Sequence, residues 1–545
     1  MSLAHRPVLL LVNGAIHTMD EHTPRVSALA IDLTSGRILV TGDDADMRAL
    51  SGPLTEIIDL HGRTVLPGFI DSHTHLAGYA QSRLDVDLRD ARSADEAVTR
   101  VAARAAQTPA GAWILGRSWD KNHWPGQLFP TRTSLDAAIP AHPVALSSHD
   151  YHSLWVNSEA LRRAGVDVMT PDPGRGRIGR SDDGEPDGTL YEDATDLVYR
   201  VADPASDERL LAELRVILSE LRARGVTGVH NIEDDRALRL LQRLRASGEL
   251  SPRVLYYIQR RALPHALELG IEGDFGDDML RFAGVKLYMD GALGSQTAAM
   301  LDPYEGQPEN RGLLTTTEAE VEKLARDATT GGIGVAIHAI GDRAVHAALD
   351  GIESALRAEA AQAEESGVPA RRRRIRLEHV QLARTDDIAR MAKLGVVAAV
   401  QPFHAVVDRD AAERYWGTRY RKAYAYQALR QAGATLALGA DVPVDTPDPW
   451  RILHAAINRQ NAAEPDRPAW LPDQALSVAQ AIWGYTVGAA YAGGQEERQG
   501  SLAPGKLADL IILSDDPFTA PSERIAQTQV LATLVGGQLV HGALE

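Results

Sequence analysis

Two histidines separated by one residue, in the segment LPGFIDSHTHL (Leu66 to Leu76), point to metal chemistry more directly than any other feature of this sequence. Side chains alternate between the two faces of a β-strand, so His73 and His75 point the same way if this apolar run forms a strand. Two imidazoles on one face can bind one metal ion. A pair of histidines on a solvated strand fits the same pattern, so ligands elsewhere in the chain are needed to decide.

A lysine interrupts a later apolar run, GVKLYMDGALGS. Lys286, Tyr288 and Asp290 share one face if this run is a strand, and in a closed barrel that face is the interior or its mouth. An ammonium ion is costly to bury. Two interpretations stay open at this point. Lys286 forms a structural ion pair with Asp290, or it is neutral and carboxylated by carbon dioxide, which gives an anionic oxygen ligand able to bridge two metal ions.

Two more histidines and an aspartate come near the ends of predicted strands. His338 follows GIGVAI, His379 follows IRLE, and Asp441 ends TLALGAD. A single histidine in such a run is more often a hydrogen-bonded core residue, but several of them after an HxH pair favour a metal site. Glu378 and Asp342 are predicted partners that orient these imidazoles. A carboxylate at Asp441 can contact a metal ion and accept a proton from water.

The segments that must position these residues alternate between apolar runs and amphipathic helical stretches. Such alternation predicts a parallel sheet covered by helices, and eight units close into a (β/α)8 barrel of the α/β class. The predicted strands are Phe69 to His75, Val226 to His230, Val254 to Ile258, Val285 to Met289, Val335 to Ala339, Ile375 to Val380, Val396 to Gln401 and Thr435 to Asp441. Active sites of such barrels lie at the carboxyl ends of the strands.

The sequence at both ends of the chain predicts short strands joined by turns. Neither end alone has enough strands to bury one face of a sheet. Residues 1–64 and 500–545 are therefore predicted to form one small β-sandwich, and residues 65–499 the hydrolase barrel. About 150 residues separate the first two barrel strands, far more than a barrel connection needs. A folded insertion over about 77–224, after barrel strand 1, is predicted to cover the active site.

Charge and composition exclude several function classes. The 545 residues include 57 Lys+Arg and 74 Asp+Glu, and a net charge of -17 repels phosphate backbones and anionic membranes, so no nucleic acid or membrane partner is expected. The basic cluster Arg371 to Arg374 is interpreted as a solvated end of an element. Because the chain has no cysteine, a metal site must use His, carboxylate or modified Lys. With no signal-like or membrane-spanning run, a cytoplasmic protein is predicted.

The order of these residues resembles that of the amidohydrolase superfamily of metal-dependent hydrolases: HxH on the first strand, Lys on the fourth, His on the fifth and sixth, and Asp on the eighth. The segments LPGFIDSHTHL and GSLAPGKLADLIIL are also typical of it. Further segments resemble the amidohydrolase family 3 branch that contains N-substituted formamide deformylase, namely SWDKNHWPG, DPGRGRIGR, VKLYMDGALGS, IHAIGDRAV and LGADVPVDTPDPW. The resemblance covers nearly the whole chain.

The resemblance implies a complete ligand set, with one metal ion bound by His73 and His75, a second by His338 and His379, and a carboxylated Lys286 as the bridge. It implies Asp441 as a ligand and as the general base. Neutral and anionic N and O ligands with an open position suit Zn²⁺, as one ion or two, with other divalent metals as alternatives. A homo-oligomer is expected from the resemblance alone.

The predicted reaction is hydrolysis of the C–N bond of a small molecule, an N-substituted amide or formamide, by metal-activated hydroxide with Asp441 as base. Trp119, Trp124 and Asp290 are predicted to contact the substrate, since aromatic groups near a pocket mouth suit an apolar N-substituent. Three alternatives stay open. The same ligands can serve a deaminase, they can serve a lactam or lactone hydrolase, and the chain can be a metal-bearing binding protein without turnover.

Overall fold

Eight parallel strands form a barrel in the computed structural model, which describes residues 7–49, 51–202, 204–367 and 373–544. The barrel strands, labelled β1 to β8 in chain order, are Phe69–Thr74, Val226–Ile232, Arg253–Gln259, Leu280–Tyr288, Gly334–Ala339, Ile375–His379, Val397–Val400 and Leu436–Leu438. Each strand pairs with the next one along the chain. A bridge between Thr74 and Val442 joins the end of β1 to the segment after β8. The predicted (β/α)8 fold class is confirmed.

Helices pack around the barrel and over its mouth, which explains why its strands are buried and apolar on both faces. These helices are Leu76–Leu84, Asp207–Ala223, Asp235–Ala246, Leu263–Glu268, Glu318–Thr330, Asp342–Ser366, Thr385–Leu394, Pro402–Val407, Arg409–Trp416, Tyr426–Gln431, Pro449–Asn458, Val478–Trp483 and Ala489–Ala492. In the helix Asp207–Ala223, Leu214, Leu218 and Leu221 recur at helical spacing. They are buried in one apolar cluster with Val229 of β2, so the amphipathic pattern fixes which side of the helix faces the strands.

Strands from both ends of the chain form two sheets that share one apolar core. One sheet has the order Arg37–Gly42, Ala28–Asp32, Val8–Val12 and Thr55–Asp59; the other has the order Gln538–Gly542, Val530–Val535, Leu510–Leu513, Thr64–Pro67, Ala15–His17 and Arg25–Val26. The short helix Asp44–Ala49 belongs to the same region. Leu29 and Ile31 of the first sheet pack with Leu510 and Leu534 of the second. The predicted sandwich of the two chain ends is confirmed, while its residue limits stay a prediction.

The long connection between β1 and β2 folds into a mixed sheet. Its strand order is Gly176–Arg180, Pro186–Glu192, Ser153–Val156, Val144–Ser148, Ile114–Trp119 and Val86–Asp87, and its helices are Ala94–Ala105, Arg132–Ala138, Ser158–Ala164 and Asp196–Tyr199. Alternate residues of one strand belong to different apolar clusters, with Val144 and Leu146 in one and Ala145 in the other. Both faces of the sheet are therefore covered. The predicted folded insertion after barrel strand 1 is confirmed.

Two expectations about the surface concern charge and membranes. Arg373 and Arg374 of the basic cluster form ion pairs with Asp274 and Glu496, whereas Arg371 and Arg372 lie outside the described residues. Within the described ranges, no helix is both long enough and apolar enough to cross a membrane.

Candidate metal centre

The carboxyl ends of the barrel strands open into a cavity of about 450 Å³. The residues predicted as metal ligands all line it, namely His73, His75, Lys286, His338, His379 and Asp441. The strand register explains part of this convergence. Tyr288 of β4 pairs with His338 of β5, and Ala339 pairs with His379 of β6, so the ends of these strands lie level with one another.

A buried carboxylate orients His73. The Nδ1–H of His73 donates to Oε2 of Glu378 over 2.6 Å, and Nε2 lies 3.6 Å from Oδ1 of Asp441. Glu378 is also bound by the guanidinium of Arg376, and both side chains are fully buried. A carboxylate on the second nitrogen fixes an imidazole and makes it a better ligand. Glu378 thus orients His73, and not His338 or His379 for which it was predicted, whereas Asp342 accepts the backbone N–H of Leu301.

Backbone carbonyls orient two more imidazoles. Nδ1 of His75 lies 2.5 Å from the carbonyl oxygen of Ile232, and Nε2 of His338 lies 3.0 Å from that of Gly291. A carbonyl oxygen only accepts, so these two nitrogens carry protons, and Nε2 of His75 and Nδ1 of His338 are the nitrogens that can bind metal. Nε2 of His75 lies 3.1 Å from Oδ1 of Asp441, so a proton shared there must leave when metal binds.

His379 and Asp441 lie on strained backbone. Their φ angles are +73° and +58°, in the left-handed region that costs a non-glycine residue about 1–3 kcal/mol. Nδ1 of His379 is buried, lies 4.0 Å from Oδ2 of Asp441, and has no hydrogen-bond partner among the described residues. Burying a polar atom without a partner is unfavourable, and a metal ion would satisfy this nitrogen.

Asp71 ties the end of β8 to β1. Its Oδ1 accepts the backbone N–H groups of His73 (3.1 Å) and Ala440 (2.9 Å), and burial raises the pKa of Asp71 to about 7. The Asp441 N–H also donates to the His73 carbonyl over 2.8 Å. A Cβ at Gly439 would lie 2.7 Å from the His73 nitrogen, so only glycine permits this approach. The LGAD segment therefore brings Asp441 beside the HxH pair.

Burial keeps three of the imidazoles neutral. It lowers the pKa of His73 to about 4, and the Lys286 ammonium adds to this effect. It also lowers the pKa of His338 and of His379 well below the usual histidine value. Neutral imidazole is the form that binds metal ions.

Lys286 is buried beside His73, with Nζ 3.3 Å from Nε2 of that histidine. Within the described ranges, no carboxylate lies at ion-pair distance from Nζ, so the structural pair with Asp290 is not formed. Burial lowers the pKa of Lys286 to about 8. The neutral amine, which is the form that reacts with carbon dioxide, is therefore accessible near neutral pH.

His404 contacts Asp441 and was not singled out from the sequence. Its Nε2 lies 3.2 Å from Oδ2 of Asp441, and its Nδ1 lies 2.6 Å from Oδ2 of Asp445. Burial opposes ionisation of Asp441, but His73 and the hydrogen bond from His404 hold the pKa of this carboxyl well below its usual range. His404 lies in the helix Pro402–Val407 just after β7, and this position near a carboxyl strand end was the signal that could have identified it.

The donor geometry fits a divalent metal ion. Donor atoms of His73, His379 and Asp441 all lie within 4.8 Å of one another. Zinc ligands lie about 2.0–2.2 Å from the ion, so the donors of one ion lie within roughly 4.4 Å of each other. Oδ1 of Asp441 lies 3.6 Å from Nε2 of His73, and its Oδ2 lies 4.0 Å from Nδ1 of His379, so both distances are within this limit. Two neutral nitrogens, of which that of His379 is unsatisfied, and one ionised carboxylate make a metal-binding site.

Of the three residues predicted to contact substrate, the structure brings one to the cavity. Trp119 lines the cavity, whereas Trp124 and Asp290 do not. Trp124 packs against Trp119 with ring centroids 5.8 Å apart and donates its indole N–H to the Ala91 carbonyl. Asp290 is buried, and its carboxylate accepts the backbone N–H groups of Ala299, Ile340 and Gly341. Asp290 therefore stabilises the loops around His338.

The insertion contributes polar groups to the cavity wall, a feature that spacing in the sequence did not reveal. His152 lines the cavity with its ring centroid 5.2 Å from that of His338. Its Nδ1 lies 2.8 Å from Oε2 of Glu192. Burial opposes protonation of His152, but Glu192 raises the pKa of this imidazole to about 9. The insertion therefore places an imidazole–carboxylate pair beside the metal ligands.

Comparisons with known proteins agree with this geometry. A model described as "Amidohydrolase family" matches residues 56–541. N-substituted formamide deformylase of Arthrobacter pascens is 29% identical over 547 residues, which cover 97% of this chain and 98% of that protein. Protein LONG AFTER FAR-RED 3 of Arabidopsis thaliana is 34% identical over 548 residues, which cover 98% of this chain and 91% of that protein.

A solved structure extends the likeness to three dimensions. The crystal structure of an uncharacterized metal-dependent hydrolase from Pyrococcus horikoshii OT3 has a TM-score of 0.73 and 30% sequence identity, and the match covers 94% of this chain and 99% of that chain. The resemblance inferred from the sequence is confirmed. The chain belongs to the amidohydrolase family, and it is an enzyme, a metal-dependent hydrolase.

Proposed function

We propose that this enzyme hydrolyses an N-substituted amide, formamides included, to a carboxylic acid and an amine. The observation that carries the proposal is the convergence of His73, His379 and Asp441 on one point of the cavity floor. The likeness to N-substituted formamide deformylase over nearly the whole chain supports the same reaction type. A cavity of about 450 Å³ has the size of sites for small molecules.

The proposed ligands would hold one zinc ion or two, and the two-ion arrangement accounts for all of them. His73 and His75 would hold one ion, His338 and His379 a second, and a carboxylated Lys286 would bridge them. Asp441 would complete the set with a carboxylate oxygen. When bound, the ions polarise the substrate carbonyl and lower the pKa of water.

Asp441 is placed to move the proton during the reaction. Its carboxylate is ionised, and contacts with His75 and His404 fix its two oxygens. It takes a proton from the attacking water and returns it to the departing nitrogen. The carbonyl carbon gains the oxygen of water, the C–N bond breaks, and nitrogen leaves as the free amine. His404, held in turn by Asp445, keeps the carboxylate oriented.

A panel of substrates with product analysis tests the proposed reaction. Metal-loaded protein would be incubated with N-benzylformamide, N-benzylacetamide, a lactam, a lactone and a cyclic amidine. We expect benzylamine together with formate or acetate, since the proposed step breaks an acyclic amide bond. Ammonia from the amidine alone, or ring opening alone, would show that the site serves a deaminase or a lactam or lactone hydrolase. Fully metal-loaded protein that leaves both amides intact would contradict the proposal.

The bridging role of Lys286 predicts a change in metal content. Wild-type protein is expected to bind two zinc ions per chain and Lys286→Ala one, because alanine removes the anionic bridge. Lys286→Glu supplies an oxygen ligand and is expected to restore the second ion. Elemental analysis after dialysis measures the ratio, and circular dichroism checks folding. One ion per chain in wild-type protein, unchanged in Lys286→Ala, would disprove the bridge.

A further inference from the structure

Two cationic residues of the cavity lining, Lys121 and Arg414, lie near the ring of Tyr415. Lys121 begins the turn Lys121–His123 in the insertion, and Arg414 belongs to the helix Arg409–Trp416 after β7. Both residues line the cavity. Nζ of Lys121 lies 5.2 Å from the centroid of the Tyr415 ring, and Cζ of Arg414 lies 5.7 Å from it. The insertion and the barrel therefore each bring one positive charge to the same part of the wall.

Lys121 is buried, with 3% of its surface exposed, and its charge is not compensated. Nζ donates to Oη of Tyr415 (3.0 Å) and to Oδ1 of Asn122 (3.3 Å), and it lies 4.5 Å from the centroid of the Phe129 ring. An ammonium group has three N–H donors, so one remains available. Among the described residues, no carboxylate lies at ion-pair distance from Lys121 or Arg414. Lysines are almost never this buried unless they are paired.

Two acidic residues of the cavity lining that lie near Lys121 and Arg414 in the chain, Asp120 and Asp410, already have cationic partners. Oδ2 of Asp120 lies 3.1 Å from Nδ1 of His123, and the carboxylate of Asp410 contacts the guanidinium of Arg467. Lys121 and Arg414 are thus left with an uncompensated positive charge in a chain whose net charge is -17. A buried charge is costly unless it is paired, so an anionic ligand that pairs with Lys121 would be favoured.

We propose that Lys121, assisted by Arg414 at the rim, binds a carboxylate that the substrate carries away from its scissile amide. The substrate class would then be an N-substituted amide with an anionic group on its far end. Phe129, Leu293 and Val407 line the same cavity and suit an apolar or aromatic body. The reaction part of this inference rests on the proposed function, whereas the carboxylate site itself does not.

A binding experiment tests the carboxylate site without any turnover. Isothermal titration of metal-loaded protein would compare 4-methylbenzoate with 4-nitrotoluene, a neutral molecule of the same shape. We expect 4-methylbenzoate to bind at least tenfold more tightly. Lys121→Met is expected to weaken its binding by about 10- to 100-fold, as the loss of a charged hydrogen bond does. Equal binding of 4-methylbenzoate to wild type and both variants, Lys121→Met and Arg414→Gln, would overturn the site, since the anion then binds elsewhere.

Two further variants keep this test informative. Arg414 is exposed, so Arg414→Gln reports on the site even if Lys121→Met fails to fold, and a severalfold loss of affinity is expected. Lys393→Gln removes the same charge from an exposed position on the helix Thr385–Leu394, and affinity should be unchanged. A loss in Lys393→Gln equal to that in Arg414→Gln would overturn the site, because net charge alone would explain it.

A kinetic experiment separates the substrate class from the reaction type. The ratio of kcat/KM for N-(4-carboxybenzyl)formamide to that for N-benzylformamide is expected to exceed 1 in wild type. In Lys121→Met this ratio is expected to fall about 10- to 100-fold. If both formamides are hydrolysed and the ratio does not change, the carboxylate site is wrong and the proposed function stands. If neither is hydrolysed but 4-methylbenzoate binding still depends on Lys121, the proposed function is wrong and the carboxylate site stands.

Discussion

Asp441→Asn is expected to lower kcat by about 100- to 10 000-fold, the range in which general acid–base groups contribute, while most of the metal stays bound. Asparagine keeps the size of the side chain and one oxygen that can contact a metal ion. It cannot take a proton from water, and it cannot return one to the departing nitrogen. Amine release from an amide substrate, measured beside elemental analysis, separates loss of proton transfer from loss of metal.

Asp448 offers a matched control in the same loop. Its Oδ1 accepts the backbone N–H of Trp450 and caps the helix Pro449–Asn458. Asparagine is an equally good cap, so Asp448→Asn should retain near wild-type kcat and metal content. An Asp441→Asn enzyme with full activity would refute the role of this carboxylate. A variant that loses its metal together with its activity would instead identify Asp441 mainly as a ligand.

Glu378→Ala is expected to damage both metal binding and folding. It removes the acceptor that fixes Nδ1 of His73, and losses of this kind weaken metal affinity by about 10- to 100-fold. It also leaves the guanidinium of Arg376 buried without its carboxylate, which costs about 3–5 kcal/mol in the free energy of unfolding. Competition with a chelator measures the affinity, and urea denaturation of the metal-free protein measures the stability.

Glu353 provides the comparison for this substitution. It forms ion pairs with Arg357 and Arg390 on the outside of the barrel, where water screens the charges. Glu353→Ala should therefore retain the metal affinity of the wild type. Glu378→Gln keeps an oxygen acceptor for His73 without the charge and should lie between Glu378→Ala and wild type. Unchanged metal affinity in Glu378→Ala would show that His73 needs no orienting partner.

Local patterns were sufficient to predict the architecture. The apolar runs from Phe69 to Asp441 became the eight barrel strands, because strands covered on both faces must be apolar throughout. The predicted first and last residues of the strands were less accurate. The last strand, predicted over Thr435 to Asp441, ends at Leu438, and Asp441 lies beyond it on strained backbone. The hydrophobic pattern of a sequence does not determine φ angles, so the strained backbone at Asp441 could not be predicted from it.

Spacing and residue type also selected the side chains at the strand ends. His73 and His75 both reach Asp441, and Lys286 lies beside His73. Their convergence was predictable because the carboxyl ends of barrel strands meet at one mouth. Which nitrogen or oxygen each side chain presents was not predictable from the same argument.

Only the tertiary structure decided the partners of these residues. Glu378 orients His73 rather than a neighbouring histidine, and Asp290 binds backbone N–H groups instead of Lys286. Likewise Lys121 meets Tyr415, a residue far away in the chain. The sequence by itself determined the alternation of strands and helices, the residue types at the strand ends and the family, because these depend on local periodicity. Contacts across the barrel depend on strand register and on how the insertion packs over the mouth, and no local pattern encodes those distances.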